Sequence, residues 1–431
     1  MQQINRLEKN EKLWEALAPE VENGIREHRM ENFCLEIRDI DGKPVPGAAV
    51  RVMQQTHDFD FGCNCLWLGQ LGPLNEAYEN RLAELFNLVT TTFCLCDVEP
   101  EPGVWRFEEG GKEIFRRPPV ERVVKFAKKH GIRLKGQPLL AGSWYPPWAK
   151  DQNLSNDRIK ALYTDYFKRV AERYGDVFDL FDLVNEAFCH TRFPLYTEKL
   201  EYVEWAFKTA RPMFPEHVKL SLNETAWVFY NSWEGKNNYY ELARRLLDSG
   251  AKIDTVGFQF HLFDNKVWEA VAGEGAFSYQ SVLAFLRLHA KLGLPMYITE
   301  ITVPSVFGEI RDEALQAEVI ERFYRIFFSV PEMRGVLQWN LCDGTAWQNE
   351  GDAHGALIDE FMRKKPAYLA LEHLLNREWK TMLAHPADGN GRFKFTGFRG
   401  KYEITVEGFG MKRTVFRELG RDSKNIIFTL V

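Results

Sequence analysis

At 431 residues, with 45% hydrophobic and 27% charged side chains, the chain has an ordinary globular composition and length enough for a large core. A net charge of −6 and the lack of any basic run give no reason to expect nucleic acid, and mildly disfavour a polyanionic partner. Seven cysteines without a small-scaffold pattern fit a reducing compartment, and no run of about 18 apolar residues exists to span a membrane.

The first 24 residues are charged throughout and lack the apolar stretch of a signal peptide, so the chain as written reads as cytoplasmic; a removed leader would make it secreted. Ile4, Leu7, Leu13, Leu17, Val21 and Ile25 recur at helical spacing and predict an amphipathic helix over 4–29. CLEIRDIDGKPVPGAAVRVMQQ then alternates as strands do around an Asp-Gly-Lys-Pro turn, which reads as a β-hairpin. From residue 57 short apolar strands alternate with helical stretches. The strands are 57–64, 86–94, 132–140, 180–186, 217–223, 255–262, 295–301 and 335–342. Eight such alternations favour a closed (β/α)8 barrel of the α/β class over an open doubly wound sheet, and no glycine-rich phosphate loop follows any strand. Alternation returns after residue 375, and those tail strands are expected to pair with the N-terminal hairpin in a small accessory β-sandwich. The expected organisation is therefore 1–56 (helix and hairpin), 57–375 (barrel) and 376–431 (tail strands).

Glu186 and Glu300 each close an apolar run, FDLFDLVNEA and LPMYITEI, which puts both at C-terminal strand tips, where barrel active sites are built. Two glutamates brought together there have the inventory of a glycosidase: one general acid/base and one nucleophile. The aromatic share, 14% with 12 Trp, suits sugar platforms as well as a large core.

These tips carry a wider pattern: DLVNEAF (182–188), FQFHL (258–262), MYITEI (296–301), QWNLCDGTAW (338–347) and LIDEFMRKKPAY (357–368), with FGCN (61–64) and EPEPGVWRF (99–107) matching more loosely. In this order and placement they resemble glycoside hydrolase family 10, the xylanase family of (β/α)8 barrels. The resemblance implies Glu186 as acid/base, with a raised pKa, and Glu300 as nucleophile of a retaining double displacement. It also implies that Asn185 donates to the sugar 2-hydroxyl and that His261 steadies the nucleophile. Gln259 lies on the same strand face, Asn223 ends strand five as a polar residue, and Trp339 and Trp347 wall the sugar, with Asp343 a structural partner near them.

The departures concern substrate. The family's Glu-Asn-x-x-Lys cluster after strand two, which grips the second sugar on the non-reducing side, is replaced here by a segment containing Phe93 and Cys94. Its His and Trp-His pair after strand three become Gln137, Ala141 and Gly142. Losing these donors predicts poor binding of plain xylan, because unpaired sugar hydroxyls are costly to bury. Trp144, Tyr145 and Trp148 offer aromatic stacking in their place. The pairs Cys63/Cys65 and Cys94/Cys96 read as buried small hydrophobes, since i and i+2 on a strand stand about 6–7 Å apart, too far for thiolates on one ion. A metal-dependent hydrolase would need further His/Asp clusters, and only His57 and His261 lie at strand ends.

The expectation is thus a retaining β-glycosidase with a β-linked glycan substrate, no cofactor, no metal, and no nucleic-acid or membrane partner; the oligomeric state is open. The alternatives are a hydrolase of a different β-linked glycan or glycoside, and a non-catalytic carbohydrate-binding protein on the same scaffold.

Overall fold

The computed structural model describes residues 2–233, 237–264, 266–307, 309–423 and 425–430, without the side chains of residues 2–7, Trp233 and Phe307. Eight parallel strands close into a barrel: Asp60–Asn64, Leu88–Thr92, Arg133–Gln137, Leu180–Asn185, Lys219–Glu224, Thr255–His261, Met296–Thr302 and Met333–Gln338. Each pairs with the next, and the eighth returns to the first through Gly335↔Asp60 and Gln338↔Cys63. Their residues are buried almost throughout, as strands covered by helices outside and side chains inside must be. The expected third strand is shorter: pairing with strand two stops at Gln137, before Pro138, and the chain resumes at Leu140–Ala141 beside strand four. The expected first strand starts later, at Asp60, because residues up to His57 belong to the accessory sheet.

The lead helix, Gln2–Arg29, is present. It buries Leu17, Val21 and Ile25 and packs along the helix Glu313–Ser329. Gly24 permits that approach, since a Cβ there would lie 2.8 Å from the Ser329 carbonyl. The side chains of Ile4 and Leu7 lie outside the described residues.

The expected hairpin is corrected. Met30–Arg38 and Ala49–His57 belong to two different sheets and do not pair with each other; the one bridge at the turn, Arg38↔Pro44, lies before the second strand begins. Met30–Arg38 pairs antiparallel with Arg392–Phe398 and parallel with Asn425–Thr429. Ala49–His57 lies antiparallel between Met382–Pro386 and Gly400–Gly408, and Met411–Leu419 completes that sheet. The two sheets share one apolar core drawn from both chain ends, including Phe33, Leu35, Val52, Phe393, Phe395 and Ile404. A β-hairpin requires the two strands to share a ladder; here each strand's apolar face is completed by a tail strand instead.

The sandwich is pinned to the barrel end opposite the strand tips. Arg399 donates to Asp58 Oδ2 (2.8 Å) and to the His28 carbonyl, and its own N–H reaches the Arg29 carbonyl. His57 is held edge-on among Phe61, Phe328 and Phe398, and burial lowers its pKa to about 4.

Candidate active site

Glu186 is the first residue after strand four and adopts φ 56°, a left-handed conformation uncommon for a side chain other than glycine. The turn is held on both sides. The Glu186 N–H donates to the Asn223 carbonyl (3.0 Å), and Glu224, fully buried at the end of strand five, accepts backbone N–H groups from Phe188 and Thr225 (3.2 Å each). Burial pushes the Glu224 carboxyl up to about 8, only partly offset by those donors. Glu300 lies within strand seven, where the register with strand six shifts between Ile298 and Glu300. Such an irregularity re-aims a side chain at the rim of a barrel.

Both carboxylates line one cavity of about 350 Å³, together with Gln137, Asn185, His190, Gln259, His261, Trp144, Trp339 and Trp347. Glu300 is held by His261 Nε2 (3.1 Å) and by Gln137 Nε2 (3.3 Å). His261 Nδ1 meets Thr302 Oγ1 at 3.0 Å, which fixes the ring. Behind Gln137, the buried Lys135 ammonium donates to Gln137 Oε1 (2.7 Å) and to Asp182, so the amide nitrogen is left facing Glu300. Glu186 is held by His190 Nε2 (2.9 Å) and Gln259 Nε2 (2.9 Å).

The pKa directions follow. Burial pulls Glu186 up, but the His190 and Gln259 hydrogen bonds and the His190 charge outweigh it, and its pKa is lowered. Glu300 is raised, first by burial and further by the Glu186 charge, against the pull of His261 and Lys135. The expected elevation of Glu186 is therefore reversed, because His190 supplies a donor on the acid that the resemblance did not contain.

A family model for glycosyl hydrolase family 10 matches residues 75–374. The chain belongs to glycosyl hydrolase family 10. It is 26% identical over 327 residues to endo-1,4-beta-xylanase B of Thermotoga neapolitana, covering 72% of this chain and 86% of that protein. It is 24% identical over 386 residues to anti-sigma-I factor RsgI6 of Acetivibrio thermocellus, covering 89% of this chain but 45% of that longer protein. Among solved structures, native xylanase 10B from Thermotoga maritima superposes with a TM-score of 0.60 at 24% identity, over 74% of this chain and 96% of that one, which is a likeness of fold. Membership brings the family's chemistry: retaining hydrolysis of a glycosidic bond by two glutamates.

Within this family 10 site the structure brings together Glu186, Glu300, Asn185, Gln259, His261, Trp144, Trp339 and Trp347. Asn223 is not at the cavity wall. It is fully buried, donates to Asn185 Oδ1 (2.7 Å) and accepts from Thr299 Oγ1 (2.7 Å), so it holds Asn185 from behind. Gly257 permits this, since a Cβ there would lie 2.5 Å from Asn223 Oδ1. Gln259 lines the cavity and donates to Glu186, which supports the acid. Phe93 turns into the core against Tyr174, Phe178 and Phe181, leaving Cys94 at the cavity. Of the proposed stacking residues only Trp144 lines the cavity; Tyr145 is buried, and Trp148 Nε1 is tied to the Glu99 carbonyl (3.0 Å). Asp343 binds Lys365 (3.1 Å), as a structural partner would. Cys63 and Cys65 are buried thiols whose pKa burial raises, and among the described residues no cluster of three or more His, Cys, Asp or Glu is placed to hold a metal.

Four residues escaped sequence reasoning. Lys135 was hidden inside an apolar strand. His190 stands four residues past Glu186, in a turn whose shape depends on the left-handed Glu186; the one available signal was Gly142, where a Cβ would lie 2.7 Å from the His190 Cβ. Arg116 and Arg117 come from the long connection after strand two, whose path no periodicity records.

Proposed function

We propose that this family 10 enzyme is a retaining β-glycosidase of xylanase-like mechanism, in which Glu300 attacks the anomeric carbon and Glu186 protonates the leaving oxygen. The observation that supports this most is the placement of both carboxylates in one aromatic-walled cavity, each with its own donors: Gln137 and His261 on Glu300, His190 and Gln259 on Glu186. In the first step Glu300 forms the glycosyl–enzyme ester while the aglycone leaves with the proton of Glu186. Once Glu300 is esterified its charge is gone, and Glu186 takes a proton from water, which attacks the same carbon and restores Glu300.

Glu186 Oε2 and His190 Nε2 are joined by a hydrogen bond that favours the ionised carboxylate before substrate binds. Substrate that excludes water from Glu186 favours its neutral form, the form that acts as the acid. Asn185, fixed through Asn223 to Thr299, is positioned as the donor to the 2-hydroxyl of the bound sugar.

The substrate is a β-linked glycan. Relatives named endo-1,4-beta-xylanase support a xylan-like backbone, while the altered residues after strands two and three argue against unsubstituted xylan as the preferred form. Activity on aryl β-xyloside, β-glucoside, β-xylobioside and β-cellobioside, with xylan and mixed-linkage glucan alongside, tests this reading. At least one aryl glycoside is turned over by the wild type and none by Glu300→Ala. Near-wild-type activity of Glu300→Ala on every accepted substrate contradicts the assignment.

A further inference from the structure

Arg116 is 1% exposed, adopts φ 57° in the connection after strand two, and lines the cavity that holds Glu186 and Glu300. Its guanidinium lies between the rings of Trp339 (6.0 Å) and Trp347 (5.9 Å) and makes one hydrogen bond, to Asn340 Oδ1 at 3.2 Å. Its Nε is buried and has no hydrogen-bond partner among the described residues. Among the described residues it forms no ion pair. The opposing charge that acts on it most, Glu350, is engaged by Trp339 Nε1 (3.1 Å) and the Trp347 N–H (3.3 Å).

Three other buried arginines of this molecule each have a carboxylate or more than one acceptor. Arg29 donates to the carbonyls of Phe328 and Val330. Arg399 pairs with Asp58 and donates to the His28 carbonyl, although its Nη1 has no hydrogen-bond partner among the described residues. Arg117, the next residue, pairs with Asp97 at 2.7 Å. A buried guanidinium with one amide acceptor and an orphaned N–H is costly in a folded chain unless something else completes it. Burial lowers the Arg116 pKa to about 10, which still leaves it charged at neutral pH.

We propose that the non-reducing-side part of this cavity takes a sugar bearing a carboxylate, a uronic acid, and that Arg116 binds that group. The inference rests on the glycosidase reading only in calling the ligand a sugar. A carboxylate accepts from a guanidinium N–H in a charge-assisted hydrogen bond, which a neutral sugar hydroxyl does not. The location agrees, because the connection after strand two is where the family's grip on the second sugar is altered in this sequence. Phe115 extends the surface outward: it is 62% exposed and stands edge-on to Trp67 at 4.9 Å. The net charge of −6 disfavours a long polyanion but not a single carboxylate read a few ångströms from a buried cation.

Calorimetric titration of the wild type with a glucuronosyl-xylose disaccharide, its methyl ester, xylobiose and a sulfated xylobiose tests the proposal. The free acid binds about tenfold or more tighter than its ester and than xylobiose, as one charge-assisted contact requires. In Arg116→Gln that preference falls to near unity, and Arg116→Lys retains part of it. Equal binding of acid and ester overturns the proposal, and it does so on the wild type alone, whatever the variants' folding. Tighter binding of the sulfate ester than of the acid overturns the carboxylate assignment. Acid-selective binding without turnover of any glycoside leaves this proposal standing and removes the catalytic one.

Discussion

His190 sets the resting state of the proposed acid. Its hydrogen bond to Glu186 favours the ionised carboxylate, so removing it raises the Glu186 pKa. The alkaline limb of kcat/KM, where the acid loses its proton, therefore moves to higher pH in His190→Ala; an unmoved limb means that the pair does not govern protonation. Glu186→Ala is expected to cost about 10²–10⁴-fold on substrates with poor leaving groups and far less on activated aryl glycosides, which need little protonation. Steady-state rates on a leaving-group series measure the difference. At this scale the sequence was informative wherever chemistry sits on a strand. Glu186, Glu300, Asn185 and His261 fall at strand ends, and a strand end has a defined direction. His190, Arg116 and Arg117 sit on turns and connections, where direction comes from backbone angles such as φ 56° at Glu186 and 57° at Arg116, which no sequence period encodes.

The strand four turn and the end of strand five act as one element. Both oxygens of Glu224 accept backbone N–H groups from residues beside Glu186 or next to itself. The nitrogen of a glutamine cannot accept, so Glu224→Gln leaves one donor unmatched, at about 1–3 kcal/mol of stability, and loosens Glu186 so that kcat falls more than KM rises. The pH dependence has a definite sign. With the folded pKa near 8 and the ordinary value 4.5, the folded state holds a proton that the unfolded state releases, so this group's stabilisation is lost as pH rises through that window. Glu224→Gln removes that slope, and a melting series between pH 4.5 and 8 reads it; an identical slope in the variant contradicts the account. The barrel strands were legible from their apolar runs because parallel strands covered on both faces leave no polar alternation. The supposed hairpin misled for a physical reason: a turn with strand-like flanks specifies local reversal but not which neighbours complete each ladder.

At the scale of the molecule, the chain's two ends build one sandwich, and the lead helix, His57, Arg399 and Trp379 tie it to the barrel. Removing residues 380–431 strips Met30–Arg38 and Ala49–His57 of their strand neighbours. The gentler Phe393→Ala, in the fully buried sandwich core, costs about 3–5 kcal/mol and lowers a single shared melting transition. A separate low-temperature transition in calorimetry, with the barrel unaffected, means that the sandwich folds independently.

The central claim is that Glu300 becomes covalently bonded to the sugar. A 2-deoxy-2-fluoro aryl glycoside, made in the sugar series that the wild type hydrolyses fastest, stalls the second step of a retaining enzyme and leaves the sugar attached. Intact mass followed by peptide mapping then locates it. The account predicts one adduct, on Glu300, absent from Glu300→Ala; an adduct on Glu186 or another residue, or inactivation with no adduct, contradicts it.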